Sequence, residues 1–156
     1  MYSCQPKTKI ELKEIIEDRI SKEGPNCDLN DIDTSLIDDM SGLFYNSDFT
    51  GDISNWDVSN CKSMEGMFMY SSFNGDISKW NVSNVKNMKA MFSGCKFNGD
   101  ISEWDVRNCK SLQRMFQYSH FNHDISKWKI DKDCDVREML KSCHIKEEYK
   151  PKLFQK

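Results

Sequence analysis

A 24-residue period runs through most of this chain and constrains its fold more than any other feature. The stretch from Phe73 to Ser119 reads FNGDISKWNVSNVKNMKAMFSGC and then FNGDISEWDVRNCKSLQRMFQYS, which are two copies of one sequence offset by 24 residues. Less regular copies precede and follow them. Repeats of this length fold by stacking on one another, because a single repeat cannot bury its apolar residues alone.

Apolar residues fall into fixed columns when the repeats are aligned. The tryptophan column is Trp56, Trp80, Trp104 and Trp128. The isoleucine column is Ile53, Ile77, Ile101 and Ile125. A phenylalanine column is Phe49, Phe73, Phe97 and Phe121, and a methionine-rich column is Met40, Met64, Met88, Leu112 and Val136. Burial of each such side chain contributes roughly 1.5–3 kcal/mol, so we expect each residue to pack on its counterpart one period away.

A less regular copy of the repeat at 27–44 aligns with 51–68. With this copy included, the sequence predicts five coils, near 25–48, 49–72, 73–96, 97–120 and 121–144. Within a coil, Trp56 and Val58 alternate with polar residues, as in a strand. Met64, Met67, Phe68 and Ser71 have the spacing of one helical face. The pattern therefore predicts a short strand, a turn and a short helix or 3₁₀ segment in every coil.

The two ends of the chain have the features of caps. Thr8 and Glu11 fit a capping box, apolar residues follow at helical spacing, and Gly24 supplies a stop, so we expect a helix over 8–23. That helix would cover the first coil, although it could instead bind a partner. We expect residues 145–156 to fold over the last coil, which makes 1–156 a single domain.

Polar columns accompany the apolar ones. Gly51, Gly75 and Gly99 precede aspartates, and we expect glycine with positive φ and an aspartate closing each turn onto the backbone. The aspartates are Asp52, Asp76, Asp100 and Asp124. Asn60, Asn84 and Asn108 are predicted to form a ladder that satisfies backbone groups. The aspartate column raises the alternative of calcium binding, but one carboxylate per coil supplies no cluster of oxygens.

The phrase FNGDISxWDVSNVxxMxxMF, at 73–92 and nearly so at 49–68 and 97–116, resembles the repeat of the BspA-like leucine-rich repeat surface proteins. Their 24- to 25-residue repeat is also catalogued as a domain of unknown function in mycoplasma lipoproteins. The resemblance implies an α/β repeat solenoid, a right-handed leucine-rich-repeat-like coil of five repeats. In such a coil the short parallel strands line the concave face, and short helix or 3₁₀ segments line the other. It also implies adhesion or protein recognition without catalytic residues.

Composition limits the location and the partner without fixing either. No segment is apolar enough to span a membrane, and seven cysteines without an apolar leader favour free thiols in the cytoplasm, whereas the family resemblance favours the cell surface. Residues 26–60 hold eight aspartates and no lysine or arginine, while 127–156 hold nine basic and six acidic residues, a balance of +3. No basic stripe indicates nucleic-acid binding.

The cysteines and histidines suggest little chemistry. Cys61 and Cys109 share a column two coils apart, about 10 Å, which is beyond the roughly 7 Å that a disulfide spans. The four weak candidates for a metal site are His120, His123, Cys143 and His144. Their spacing matches no standard zinc module, and no nucleophile–base set or phosphate loop is present, so we expect no enzyme, no metal and no cofactor.

The outward positions beside the core columns vary in charge while the inward columns stay nearly constant. These eight candidate binding residues are Asn55, Asp57, Lys79, Asn81, Glu103, Asp105, Lys127 and Lys129. The pattern predicts a monomeric, non-catalytic module that binds a protein partner through this face, although a merely solvated surface would vary in the same way. The first alternative is a structural or self-assembling unit, and the second is a small metal-binding protein.

Overall fold

The computed structural model describes residues 2–155. Its one α-helix, α1, spans Lys9–Glu23, and two 3₁₀ helices span Glu147–Tyr149 and Lys152–Phe154 near the C-terminus. Between α1 and the first 3₁₀ helix, the described chain consists of turns, bends and isolated bridges.

Helix α1 begins and ends where the sequence predicted. The Thr8 hydroxyl accepts the backbone N–H of Glu11 at 3.2 Å, while the Glu11 carboxylate accepts the N–H of Lys7 at 2.6 Å. Gly24, at φ 92°, ends the helix. Leu12 and Ile16 are buried, so α1 packs its apolar side onto the first repeat.

Residues one period apart lie against each other throughout the core. Phe68 stacks on Phe92 with ring centroids 5.6 Å apart, and Phe73 stacks on Phe97 at 6.2 Å. The rings of Trp56 and Trp80 lie 6.5 Å apart and are parallel to within 1°. Apolar residues from α1 to Ile145 form one continuous buried cluster. The prediction that columns pack on themselves is confirmed for these rings.

The backbone at 40–47 pairs with the next repeat in an alternating pattern. The N–H groups of residues 40, 42, 44 and 46 donate to the carbonyls of residues 63, 65, 67 and 69 at 2.8–3.0 Å. The N–H groups between them, of residues 43, 45 and 47, donate three residues back within their own repeat. The same alternation recurs at 64–71, 88–95 and 112–119. Consecutive repeats are thereby bonded through alternate residues, and the remaining N–H groups close tight turns.

These consecutive turns replace the helix predicted at 64–71. Gly66 and Tyr70 have φ of 59° and 58°, in the left-handed region that a right-handed helix cannot contain. Two columns four residues apart adopt positive φ: Gly42, Asn46, Gly66, Tyr70, Ala90, Gly94, Arg114, Tyr118, Glu138 and Ser142. A turn with φ > 0 at its third residue is of type II, and it closes on the N–H of the fourth. The helical spacing of Met64, Met67 and Phe68 thus reflects a run of turns.

The strand prediction and the fold class that depends on it are wrong. The pairing between repeats consists of isolated parallel bridges, such as Ser63 with Asn87 and Asn87 with Ser111. The stretch from Ile53 to Val58, predicted as a strand, forms a turn in which the Trp56 N–H donates to the Ile53 carbonyl at 3.1 Å. With one α-helix and no sheet among residues 2–155, the chain is not an α/β leucine-rich-repeat solenoid with strands on a concave face.

The polar columns act on the backbone largely as predicted, with one correction. The side-chain amides of Asn60, Asn84 and Asn108 donate to carbonyls of the preceding repeat at 2.7–3.0 Å. Gly75, however, does not have positive φ. An added Cβ at Gly75 would lie 2.8 Å from the ring of Phe73, so glycine is required there for close packing.

The C-terminal residues cover part of the last repeat. The Ile125 N–H donates to the Tyr149 carbonyl at 3.0 Å, and the Lys146 N–H donates to the Asn122 side chain at 2.9 Å. Tyr149 and Phe154 are half-buried against the core. The described part of the predicted C-terminal cap therefore packs on the last repeat.

Replacing Ser142 with glycine is expected to stabilise the protein. Ser142 is exposed and holds φ 56°, a conformation that costs an L-residue about 1–2 kcal/mol, whereas glycine loses about 0.5–1 kcal/mol of chain entropy. We expect the free energy of unfolding of Ser142→Gly to rise by about 0.5–1 kcal/mol in urea denaturation. Asn55→Gly, at an exposed turn residue without positive φ, is the control and should lower it. A loss of stability in Ser142→Gly equal to that of the control would contradict the assigned backbone.

Candidate functional site: an exposed face of turns

The eight predicted binding residues lie in or just after the turns between the core columns: Asn55, Lys79, Glu103 and Lys127 lie in turns, and Asp57, Asn81, Asp105 and Lys129 lie two residues later. We call this surface the turn face. Seven of the eight are exposed, and Asp105 is half-exposed. Asn55, Lys79, Glu103 and Lys127 each immediately precede a buried tryptophan. The sequence therefore identified correctly which of these positions are exposed, although they lie in or just after turns and not on strands.

Buried tryptophans anchor these turns to the neighbouring repeat. The indole Nε1–H of Trp80 donates to the Ile53 carbonyl at 3.2 Å, and that of Trp104 donates to the Ile77 carbonyl at 3.1 Å. Trp56 and Trp128 make the equivalent bonds to Leu29 and Ile101. The sequence analysis did not predict these hydrogen bonds, because it assigned the tryptophans only to packing. Each turn is held from behind by an aromatic ring and a buried hydrogen bond.

Aspartates hold the beginning of each turn. The carboxylate of Asp76 accepts the N–H of Ser78 at 2.9 Å, and Asp52, Asp100 and Asp124 make the same contact two residues on. These contacts confirm the predicted closure of turns by aspartate. The hydrogen bond from the Ser78 backbone lowers the pKa of Asp76, because it stabilises the charged carboxylate.

The turn face carries both paired and unpaired charges. Asp105 accepts two hydrogen bonds from the Arg107 guanidinium, at 2.9 and 2.7 Å, which lower the pKa of that carboxyl to about 2. Within residues 2–155, Lys79, Lys127 and Lys129 form no ion pair within 4 Å. A shallow depression of about 340 Å³ lies among the charged residues of the last two repeats. The face can therefore offer charges to a partner on a rigid support.

The cysteines are all free thiols in the structure, and five of the seven are buried. Cys95 contacts the Ser71 hydroxyl of the preceding repeat at 3.4 Å. The contact between the Cys109 and Cys134 thiols was not predicted, because Cys134 follows Cys109 by 25 residues, whereas the 24-residue period aligns Cys109 with Asp133. This contact lowers the pKa of Cys109 and raises that of Cys134, since one thiol donates to the other.

The histidine cluster forms only in part. The rings of His120 and His144 stack with centroids 4.9 Å apart, as their spacing of 24 residues suggests. His123 lies against Phe121, and the Cys143 thiol contacts the Ser119 hydroxyl and the Phe121 carbonyl. Among residues 2–155, no group of three or more histidine, cysteine or acidic side chains is placed to hold a metal ion.

A family comparison gives the classification of this repeat. The family described as "Mycoplasma protein of unknown function, DUF285" matches residues 12–119 and 39–150. These two overlapping matches together include most of the chain. The chain belongs to this family. A search of curated proteins found no match, and a search of solved structures found none either.

The DUF285 match supports a repeat-type domain and assigns it no activity. The match does not confirm the resemblance to the BspA-like leucine-rich repeat proteins. Within residues 2–155 of this DUF285 chain, no helix has the length and apolar character needed to cross a membrane.

Removing three carboxylates that hold the beginning of the turns is expected to reduce the acid sensitivity of this DUF285 domain. The pKa values of Asp52, Asp76 and Asp100 are all lowered, chiefly by backbone hydrogen bonds, so their contribution is present above the unfolded pKa of about 3.9 and is lost as pH falls. An asparagine at these positions retains a side-chain oxygen that can accept the turn N–H, as the Asn81 oxygen accepts the N–H of Ser83 at 3.2 Å.

We therefore expect the triple variant Asp52→Asn, Asp76→Asn, Asp100→Asn to lose less free energy of unfolding than the wild type between pH 7 and pH 3. Urea denaturation at the two pH values measures this difference. The matched control is Asp48→Asn, at an exposed aspartate outside these turns, which should keep the wild-type pH dependence. An unchanged pH dependence in the triple variant would show that these carboxylates titrate alike in both states.

Proposed function

We propose that this chain is a non-catalytic protein-interaction module that binds a protein partner through the turn face. The observation that carries the proposal is the contrast between two sets of columns. The residues behind the face are nearly constant and buried, while the residues on it are exposed and change in charge from Asn55 to Lys79, Glu103 and Lys127.

The rigidity of the turns supports the proposal. Each turn is fixed by a tryptophan indole bond, by an aspartate on a backbone N–H, and in three repeats by an asparagine amide on the preceding repeat. A surface held in this way loses little conformational freedom when it binds, so more of the contact energy appears as affinity. The unpaired lysines would add long-range attraction to an acidic partner and make the association depend on salt.

The repeat phrase gives a second, weaker support. The sequence at 73–92 resembles the repeats of BspA-like surface proteins, which implies an adhesion-type role in recognising another protein. We include that role in the proposal as a function of the turn face.

The proposal is tested by isolating a partner and then measuring its affinity for variants. A tagged chain serves as bait in an extract of the source organism, captured proteins are identified by mass spectrometry, and the purified partner is titrated by calorimetry. We expect Lys79→Glu, in the middle of the turn face, to weaken binding at least about tenfold, or about 1.4 kcal/mol. Lys96→Glu is the matched control, because Lys96 is also exposed but lies outside the face.

Equal affinity of the wild type and Lys79→Glu would contradict the proposed face, as would loss of binding in Lys96→Glu alone. Formation of concentration-dependent oligomers, with no second protein captured, would favour the alternative of a self-assembling unit.

A further inference from the structure

The surface of the last repeat is covered less completely than that of the repeats before it. Val58, Val82 and Val106 are buried, with 1–2% of their surface exposed, whereas Ile130 in the same column is only partly buried. Tyr149 and Phe154 pack on the core, but they leave the stretch 127–130 open on the side away from the preceding repeat. An open groove of about 830 Å³ lies there, between this stretch and the C-terminal residues.

The groove combines apolar walls with lysines. Trp128, Ile130 and Leu153 supply apolar surface, and Leu153 is 52% exposed. Three lysines and one acidic residue stand around it: Lys127, Lys129, Lys152 and Glu148. The three lysines form no ion pair within 4 Å among residues 2–155. Its volume lies within the roughly 300–1,000 Å³ typical of binding sites, and its net charge is positive.

The stretch 127–130 also has a neighbour on its other side, toward the preceding repeat, and that neighbour indicates what can pack against the groove. There the stretch 103–106, which reads Glu-Trp-Asp-Val, runs alongside 127–130, which reads Lys-Trp-Lys-Ile. Lys129 is close enough to Asp105 to contribute to the lowering of its pKa. On that side, a stretch in which acidic and apolar residues alternate therefore lies beside a stretch in which lysines and apolar residues alternate.

We propose that the groove binds an acidic, extended peptide segment of a partner protein, in which acidic and apolar residues alternate. Its carboxylates would pair with Lys127, Lys129 and Lys152, and its apolar side chains would contact Ile130 and Leu153. This inference rests on the proposed function, since it names the chemistry of a protein partner and a second place where that partner docks.

The probe is a fluorescently labelled ten-residue peptide with the sequence of residues 99–108, Gly-Asp-Ile-Ser-Glu-Trp-Asp-Val-Arg-Asn. Its binding to the full chain is measured by fluorescence anisotropy at low ionic strength. We expect saturable binding that weakens as salt is added, because the attraction includes exposed charges. A neutral peptide, with asparagine and glutamine in place of the three acidic residues, should bind at least about tenfold more weakly.

Three protein variants test the location. Lys152→Glu and Leu153→Ser change exposed residues at the rim and wall of the groove, and each should weaken peptide binding at least about fivefold. Glu148→Gln removes the acidic group in the groove and should strengthen it. Lys96→Glu is again the control and should bind as the wild type does.

Any of three results would overturn the groove proposal: no saturable binding of the acidic peptide at millimolar concentration, equal binding of the neutral peptide, or wild-type affinity in both Lys152→Glu and Leu153→Ser. The two proposals fail separately. If the isolated partner needs Lys79 but the peptide does not bind, the turn face stands and the groove falls. If the peptide binds in the groove but Lys79→Glu leaves partner affinity unchanged, the groove stands and the turn face falls.

Discussion

The structure depends on one arrangement of backbone hydrogen bonds that links each repeat to the next. Alternate N–H groups at 40–46 donate to the following repeat, those of residues 43 and 45 close turns within their own repeat, and that of Ser41 donates to the Asp39 carboxylate. Every N–H in this segment therefore has a partner without a helix or a regular strand, which meets the requirement that buried backbone groups be bonded. The spacing set by these bonds brings the rings of Phe68 and Phe92 to 5.6 Å.

This arrangement explains which sequence predictions succeeded. The packing of the aromatic columns on themselves and the limits of α1 follow from repetition and capping chemistry, and the structure confirms them. The closure of turns by aspartate and the asparagine ladder could also be predicted from the sequence, because these short polar side chains commonly hydrogen-bond to nearby backbone groups.

The local structure inside each repeat could not be read from spacing alone. The helical periodicity of Met64, Met67 and Phe68 is equally satisfied by a run of turns, since both place the same residues on one side. The decisive signal is left-handed backbone, but it occurs at Tyr70 and Arg114 as well as at glycine, so composition does not reveal it. The alternation of Trp56 and Val58 likewise indicated a strand, whereas each residue adjoins a turn.

The two candidate sites follow from the repetition of the turns and from the end of the repeats at the last one. Because the turns repeat, their exposed residues form a continuous face whose charge is free to vary without disturbing the core. Because the repeats end, the last one exposes a surface that its predecessors cover. Both places combine a rigid support with lysines that have no ion-pair partner within residues 2–155.

The contact between phenylalanine rings one period apart tests this account most directly. Solution NMR of protein carrying selectively protonated phenylalanine in a deuterated background measures nuclear Overhauser effects between ring protons. The account predicts cross-peaks between Phe68 and Phe92 and between Phe73 and Phe97, whose ring centroids lie 5.6 and 6.2 Å apart. Assigned rings that show no such cross-peaks, while the protein is folded, would contradict the stacking of repeats on which both proposed sites depend.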